Sequence, residues 1–252
     1  MLDFNRIHDQ LLKMAVETTQ ILEKNNIKYM ITFGTLLGSI RHHGFIPWDC
    51  DFDLILFSDQ YDLAKDILRN NLPDDMVLQD ERNEPKYFHA WAHVKDKNSK
   101  AYSRNFARDN IYINNGLSVD LYIATRIKKR DINLFALNED LKYRERLRKK
   151  GLLNEQEFST IQKKILDQIS IEKEMLEKKE ENGYLYALPL PPKYRIILEE
   201  ETFPLKQYQF QSAMFWGPNN ADGILTRVYG DYMNLPPEEE RIPNYIKVDF
   251  FN

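Results

Sequence analysis

Residues 34–53 read GTLLGSIRHHGFIPWDCDFD and run directly into the apolar stretch Leu54-Ile55-Leu56-Phe57. Three acids, Asp49, Asp51 and Asp53, occupy alternate positions at the end of this stretch. Side chains two apart on a strand share a face, so the spacing puts these carboxylates on one side of a strand. Aspartate is depleted in strands, and acids leading into an apolar run need a reason. Like charges on one face repel unless a cation lies between them, and hard oxygen donors suit Mg²⁺ or Mn²⁺. The plain structural alternative is a pair of solvated acids at a strand edge. Upstream, Gly34-Thr35 falls where a strand should give way to a helix, and free N–H groups at such a start can hold a phosphate. Gly34 permits close backbone approach, Thr35 can cap the helix, and Arg41 can fork onto a phosphate or pair with a nearby acid. A phosphate cradle followed by a metal clamp points to phosphoryl-group chemistry.

The 252-residue chain is long enough for a sizeable core, and 42% hydrophobic and 29% charged residues are ordinary for a globular protein. With 14 Tyr, 14 Phe and 3 Trp, extensive disorder is not expected. A net charge of −4 gives no basic surface for nucleic acid. The lone cysteine, Cys50, cannot form an intrachain disulfide, which fits a reducing cytoplasm. No apolar run approaches the ~20 residues of a membrane helix, and no signal peptide is evident. The expected location is cytoplasmic, with any membrane contact peripheral, at the inner surface.

Outward from the acids, Ile7, Leu11, Met14, Thr18, Ile21 and Leu22 predict a helix over 4–26, and KYMIT (28–32) a strand. A helix follows Ser58 as N-cap. Strands are expected at 76–79, at 87–95 and at LSVDLYIA (117–124). Asp120 is the isolated acid of that last strand. It can serve as a third metal ligand or proton acceptor, or simply bond to neighbouring backbone. Helices are expected at 131–150 and 154–181, near 193–200 and near 220–230, with strand-like residues at 205–215. The order suggests an α+β fold, with residues 1–130 as a catalytic core and 131–252 as a helical region and C-terminal segment packed on it.

Other residues carry weaker signals. His42, His43, His89 and His93 have no cysteine cluster to make structural zinc. Cys50, between two acids, should have a raised thiol pKa and is no nucleophile. The basic run Lys142, Arg144, Arg146, Arg148, Lys149 and Lys150 reads first as a solvated helix face, and second as a surface for anionic lipid. Trp91, Tyr102, Phe106 and Trp216 are candidates for a cation-binding aromatic pocket, although such residues are more often core.

The segment 34–54 resembles the signature of the LicD family of phosphotransferases, which includes bacterial phosphocholine transferases and fukutin-related proteins. TRVYGDYMNLPPEEER (226–241) resembles that family's C-terminal signature, and VDLYIA (119–124) stands at the place of its third acidic strand. The resemblance implies a nucleotidyltransferase-like mixed sheet flanked by helices. It also implies Asp51 and Asp53 as the metal pair, Asp120 as the third carboxylate, and Gly34-Thr35 as the phosphate-contacting turn, with Mg²⁺ or Mn²⁺ as cofactor. The implied partners are a CDP-linked alcohol donor such as CDP-choline or CDP-ribitol, and a glycan acceptor, free or lipid-linked. Cys50 replaces a frequent aspartate, and Ala124-Thr125 replaces a usual proline-containing continuation. Two rivals stay open: transfer of a nucleoside monophosphate from an NTP, and a non-catalytic nucleotide- or glycan-binding partner.

Overall fold

The structure is a computed structural model that describes residues 2–104, 111–176 and 182–251. Its centre is a mixed sheet in the order β1-β2-β6-β4-β3, formed by Tyr29–Ile31 (β1), Asp51–Phe57 (β2), Ser118–Lys128 (β6), Ala92–Asp96 (β4) and Met76–Gln79 (β3). Only β2 and β6 run parallel; the other pairs are antiparallel. The second half of β6 leaves β2 and β4 and pairs with β7 (Tyr184–Ala187), which pairs in turn with β8 (Ile196–Leu198). Strands from both halves of the chain thus share one sheet.

Alternation along the strands sorts the two faces. Phe52, Leu54 and Leu56 of β2 and Val119 and Leu121 of β6 belong to the main core, with Ile7, Leu11 and Met14 of α1 (Phe4–Lys24) and Ala64 and Leu68 of α3 (Tyr61–Asn71). Burying each of the larger of these side chains contributes roughly 1.5–3 kcal/mol. The opposite face is apolar only toward one end, where Ile55, Phe57 and Ala124 pack with Met30, Tyr186 and Ile197. Its other end holds Asp51, Asp53 and Asp120.

Helix α2 (Phe33–His42) begins directly after β1 and lies beside β2. Its N-cap is Thr32, so Gly34 and Thr35 sit inside the first turn rather than at its cap. Their N–H groups belong to the unpaired first turn of the helix. Helix α3 likewise starts after Gln60, two residues beyond the expected Ser58 cap.

A helical hairpin, α4 (Ile132–Lys149) and α5 (Glu155–Leu176), follows β6 close to the expected bounds; residues 177–181 of the expected second helix lie outside the described residues. The expected strand 87–95 is strand only from Ala92. Residues 87–91 leave the ladder because Tyr87 and Phe88 are buried in a separate aromatic cluster with Tyr112 and Leu147. The expected helix near 193–200 divides into a short 3₁₀ turn, β8 and a four-residue helix α6 (Glu199–Thr202), since Ile196–Leu198 pairs with β7. The stretch 205–215 is a hairpin, β9 (Lys206–Phe210) and β10 (Ala213–Gly217), followed by α7 (Ala221–Tyr229). The chain returns in β11 (Tyr245–Phe250) to pair with β5 (Ser99–Ser103), a pairing with no sequence expectation behind it. No described helix is long and apolar enough to cross a membrane.

Candidate active site

In the parallel β2–β6 pair, Asp53 stands opposite Asp120 and Asp51 opposite Ser118. On the far side of β6, His93 of β4 stands opposite Asp120 and Lys95 opposite Ser118. One patch of one face therefore carries Asp51, Asp53, Asp120, His93 and Lys95. The period of two, read from the sequence, could place Asp51 with Asp53. Only the strand order could bring Asp120 beside them.

Each acid is held by a different element. Asp53 is 6% exposed, and its carboxyl faces the backbone of Gly34 and Thr35 in the first turn of α2, which favours its charged form. Its own N–H donates to Thr35 Oγ1 at 2.8 Å, and the N–H of Thr32 donates to its carbonyl oxygen at 3.2 Å. The expected phosphate-contacting turn thus holds a carboxylate of the acid cluster. A helix N-terminus favours any anion, and Asp53 is already placed there.

Asp120 accepts a short hydrogen bond from Ser118 Oγ and a long one, 3.4 Å, from the Tyr122 hydroxyl. His93 Nε2 lies 3.7 Å from Asp120 Oδ2, and Nδ1 of the same ring lies 2.6 Å from the Tyr87 hydroxyl. Asp51 Oδ2 accepts from the Asn244 side-chain amide at 3.1 Å. Ser118, Tyr122 and Asn244 had carried no sequence signal. His93 had been weighed only for structural zinc and set aside.

Asp49 joins the cluster. A Cβ built on Gly34 would lie 2.5 Å from Asp49 Oδ2 and 3.6 Å from Asp53 Oδ2, so Gly34 is where backbone and two carboxylates crowd together. Asp49 also shares a hydrogen bond with the Asp51 carboxyl. Its loop is fixed from the core side, where His8 Nε2 meets the Asp49 carbonyl oxygen at 2.9 Å and the His8 ring stacks on Phe45 at 4.4 Å.

Burial raises all three neighbouring carboxyls. Asp49 is pushed up to about 6, and Asp51 and Asp53 are held well above the usual carboxylate range by burial and then by the surrounding acids. This is the environment a divalent cation would relieve. The donors are hard oxygens, as Mg²⁺ prefers. Among the described residues, however, no three His, Cys, Asp or Glu side chains converge as a ready ligand set, so the acids meet as neighbouring pairs. Cys50 is buried, and its thiol is pushed up to about 12 by burial first and by Asp51 and Asp49 next, so it is not a nucleophile.

The two sequence signatures meet in space. Arg41 of α2 donates to the carbonyl oxygens of Tyr232 (2.7 Å) and Asn234 (3.2 Å) in the late segment. The Arg241 guanidinium lies 5.5 Å from the Trp48 ring centroid. Arg41 therefore ties the 226–241 segment to the loop that delivers the acids. The Gly38 position needs glycine for a related reason, since a Cβ there would lie 2.4 Å from the Gly44 carbonyl oxygen.

A cleft of about 410 Å³ opens over Asp51 and Asp120, with Trp91, His89, His93 and Tyr112 in its walls. Of the aromatic candidates among the described residues, only Trp91 is there. Trp216 is on β10, its N–H near the Tyr29 hydroxyl; Tyr102 packs against Lys100 and Lys247; Phe106 lies outside the described residues. Most of the basic run on α4 is paired locally, Lys142 with Glu139, Arg144 with Asp140, Lys149 with Glu145 and Arg148 with Glu155, while Arg146 donates to the Phe88 carbonyl oxygen. Those pairings favour a solvated helix face over a lipid-binding one.

Two comparisons with known proteins bear on the chain as a whole. Residues 26–146, which contain all four acids, match the model of the LicD/FKTN/FKRP nucleotidyltransferase domain. The lipopolysaccharide cholinephosphotransferase LicD of Haemophilus influenzae is 28% identical over 251 residues, spanning 90% of this chain and 90% of its own. An uncharacterized protein of Rickettsia prowazekii is 46% identical over 56 residues, 22% of this chain and 21% of its own. In sequence this chain is similar to the LicD family of phosphotransferases, whose model covers just under half of the chain.

Proposed function

We propose that the protein transfers a phospho-alcohol group, phosphocholine in the first instance, from a CDP-linked donor to a sugar hydroxyl of a cell-surface glycan, releasing CMP. The observation that carries this reading is the Asp53–Asp120 register, with Asp51 and Asp49 alongside, above an open cleft. The core is read as nucleotidyltransferase-like over residues 1–130, with 131–252 packed on it. The similarity of almost the whole chain to a protein named lipopolysaccharide cholinephosphotransferase supports the choice of alcohol and of acceptor class.

Asp51 and Asp53 are the residues that would hold Mg²⁺ or Mn²⁺, with Asp120 as third carboxylate. When bound, the ion neutralises charge on the phosphate oxygens. The chain's own groups do the rest. The first turn of α2, at Gly34 and Thr35, orients Asp53 and presents a positive dipole end to the donor's diphosphate. Arg41 anchors the carbonyls of Tyr232 and Asn234 to the end of α2. Asp120, steadied by Ser118 and Tyr122, accepts the proton of the attacking sugar hydroxyl at Oδ2. The new bond joins the sugar oxygen to the phosphorus bearing the alcohol, and the bond from that phosphorus to the CMP oxygen breaks. Positioning and electrostatics carry most of the rate in such reactions.

The test is phosphorus NMR of the protein incubated with a panel of CDP-alcohols, Mg²⁺ and a lipooligosaccharide acceptor. The proposal expects CMP and a nucleoside-free phosphodiester on the sugar. Consumption of an NTP with release of pyrophosphate would point instead to nucleotidyl transfer.

A further inference from the structure

We propose that Lys95 and Arg104 grip the phosphate that leaves with the nucleoside, so that the cleft carries cations of the chain's own on the wall opposite the acids. The proposal rests on the transferase reading above and adds to it the residues that take up the leaving group's charge.

Three observations carry it. The first is the layout of the sheet. Two rows of residues cross β2, β6 and β4 at successive levels of one face: Asp51, Ser118 and Lys95 in one, Asp53, Asp120 and His93 in the next. Neighbouring strands lie about 4.8 Å apart, so the Lys95 backbone stands roughly 10 Å across the sheet from that of Asp51, with the small Ser118 side chain between them. That span suits a diphosphate with the acids at one end and an ammonium at the other. In an in-line displacement the attacking and leaving oxygens lie on opposite sides of the phosphorus. With the sugar hydroxyl at Asp120, the leaving oxygen points toward one of the two neighbouring rows. The row on one side holds Ile55 and Tyr122, at the apolar end of this face. The row on the other side holds Lys95, about 7 Å along the strands.

The second observation is charge. The cleft is lined by two carboxylates, Asp51 and Asp120, and by two strong cations, Lys95 and Arg104. Arg104 follows β5, and its Nε donates to the Pro243 carbonyl oxygen at 2.8 Å, beside the Asn244 whose amide meets Asp51. That tether sets a guanidinium, which forks well onto phosphate oxygens, on the cleft wall. The Lys95 charge is felt inside the cleft: burial first, and then Lys95, hold His93 well below its ordinary pKa.

The third observation is where the expected phosphate partners have gone. Arg41 donates to the Tyr232 and Asn234 carbonyl oxygens and is not among the residues lining the cleft. The first turn of α2 already faces the Asp53 carboxyl. A phosphate entering the cleft therefore meets Lys95 and Arg104 as its cationic partners among the described lining residues. In the step proposed above, the bond from phosphorus to the CMP oxygen breaks and its electron pair stays on that oxygen. The Lys95 ammonium donates a hydrogen bond to it and keeps its proton, Arg104 holds the other oxygens of the same phosphate, and CMP departs as the dianion.

The test is calorimetric titration of CMP and of cytidine into the full chain with Mg²⁺. The two ligands share base and ribose and differ in the phosphate, so the ratio of their affinities reads the phosphate's contacts. Wild type should favour CMP. Lys95→Gln should shrink that ratio on the order of tenfold or more and leave cytidine affinity unchanged. Lys95→Arg should keep most of the ratio, and Arg104→Gln should lose part of it. An unchanged ratio in Lys95→Gln overturns the proposal. So does an equal loss of cytidine affinity, which would make the lysine a support for the cleft. A wild type that binds the two ligands equally, or binds neither, overturns it too. Should Lys95→Gln not fold, Arg104→Gln, a change to an exposed side chain, decides by the same ratio. Turnover separates this proposal from the transferase reading. Release of CMP from a CDP-alcohol by a protein whose ratio ignores both cations sinks the grip and leaves the transferase standing. A ratio that depends on them, with no CDP-alcohol turned over, does the reverse.

Discussion

Thr35 and Asp53 are joined across two elements: the Asp53 N–H donates to Thr35 Oγ1 at 2.8 Å, and the first-turn backbone at Gly34 and Thr35 acts to lower the proton affinity of the Asp53 carboxyl, against the burial that raises it. The first turn of α2 and the acid strand β2 are locked at the point where chemistry is proposed. Both residues are buried, so the bond to Thr35 Oγ1 cannot be replaced by water.

Thr35→Val keeps the shape and removes the acceptor. It should lower stability by about 1–3 kcal/mol through an unsatisfied buried N–H. Thr35→Ser should restore most of the loss. Urea denaturation of the three proteins checks this, and Thr35→Val as stable as wild type would contradict it.

Arg41 was expected to grip phosphate, but it donates to the Tyr232 and Asn234 carbonyl oxygens and to His42 Nδ1. Arg41→Ala should therefore act on the 226–241 segment. Limited proteolysis should cut there faster, and stability should fall by about 1–3 kcal/mol. The KM for the donor should move less than kcat. A large rise in donor KM with unchanged proteolysis would return Arg41 to direct phosphate contact.

The acid cluster makes metal-free stability depend on pH in a definite direction. Asp49, Asp51 and Asp53 bind a proton more tightly folded than unfolded. The stability this gives is complete below the ordinary carboxylate value of 3.8 and is lost as pH rises through the folded values, about 6 for Asp49. In EDTA, this cluster should make Tm fall as pH rises from 4 past 6, and Asp49→Asn should flatten the fall. Mg²⁺ should raise Tm more at pH 8 than at pH 5, by about 2.7 kcal/mol of stability at a hundred times its Kd. An identical Mg²⁺ effect at both pH values would contradict the cluster as the binding place.

Much of this site was legible before any fold was known, because its signals are local. The alternation of Asp51 and Asp53 against an apolar run needs only the period of a strand. The start of α2 beside Gly34 needs only a composition change, though its cap lies at Thr32 because β1 turns directly into the helix. Asp120 could be nominated but not placed, since its position follows from a parallel pairing across more than sixty intervening residues. Asn244 and the β5–β11 pairing were invisible because they depend on the chain's return from its far end. Trp91 and Trp216 were equivalent as letters; their separation needed the strand order. The residues before Ala92 alternate like a strand, yet burial of Tyr87 and Phe88 in their own cluster pulls them out of the ladder.

The central claim is that Asp51 and Asp53 carry the transfer. The direct measurement is Mg²⁺-dependent CMP release from CDP-choline by wild type, Asp51→Asn and Asp53→Asn, with circular dichroism confirming that each is folded. Each variant should lose on the order of a hundredfold or more in kcat with its fold intact. Near-normal turnover in either folded variant would contradict the account.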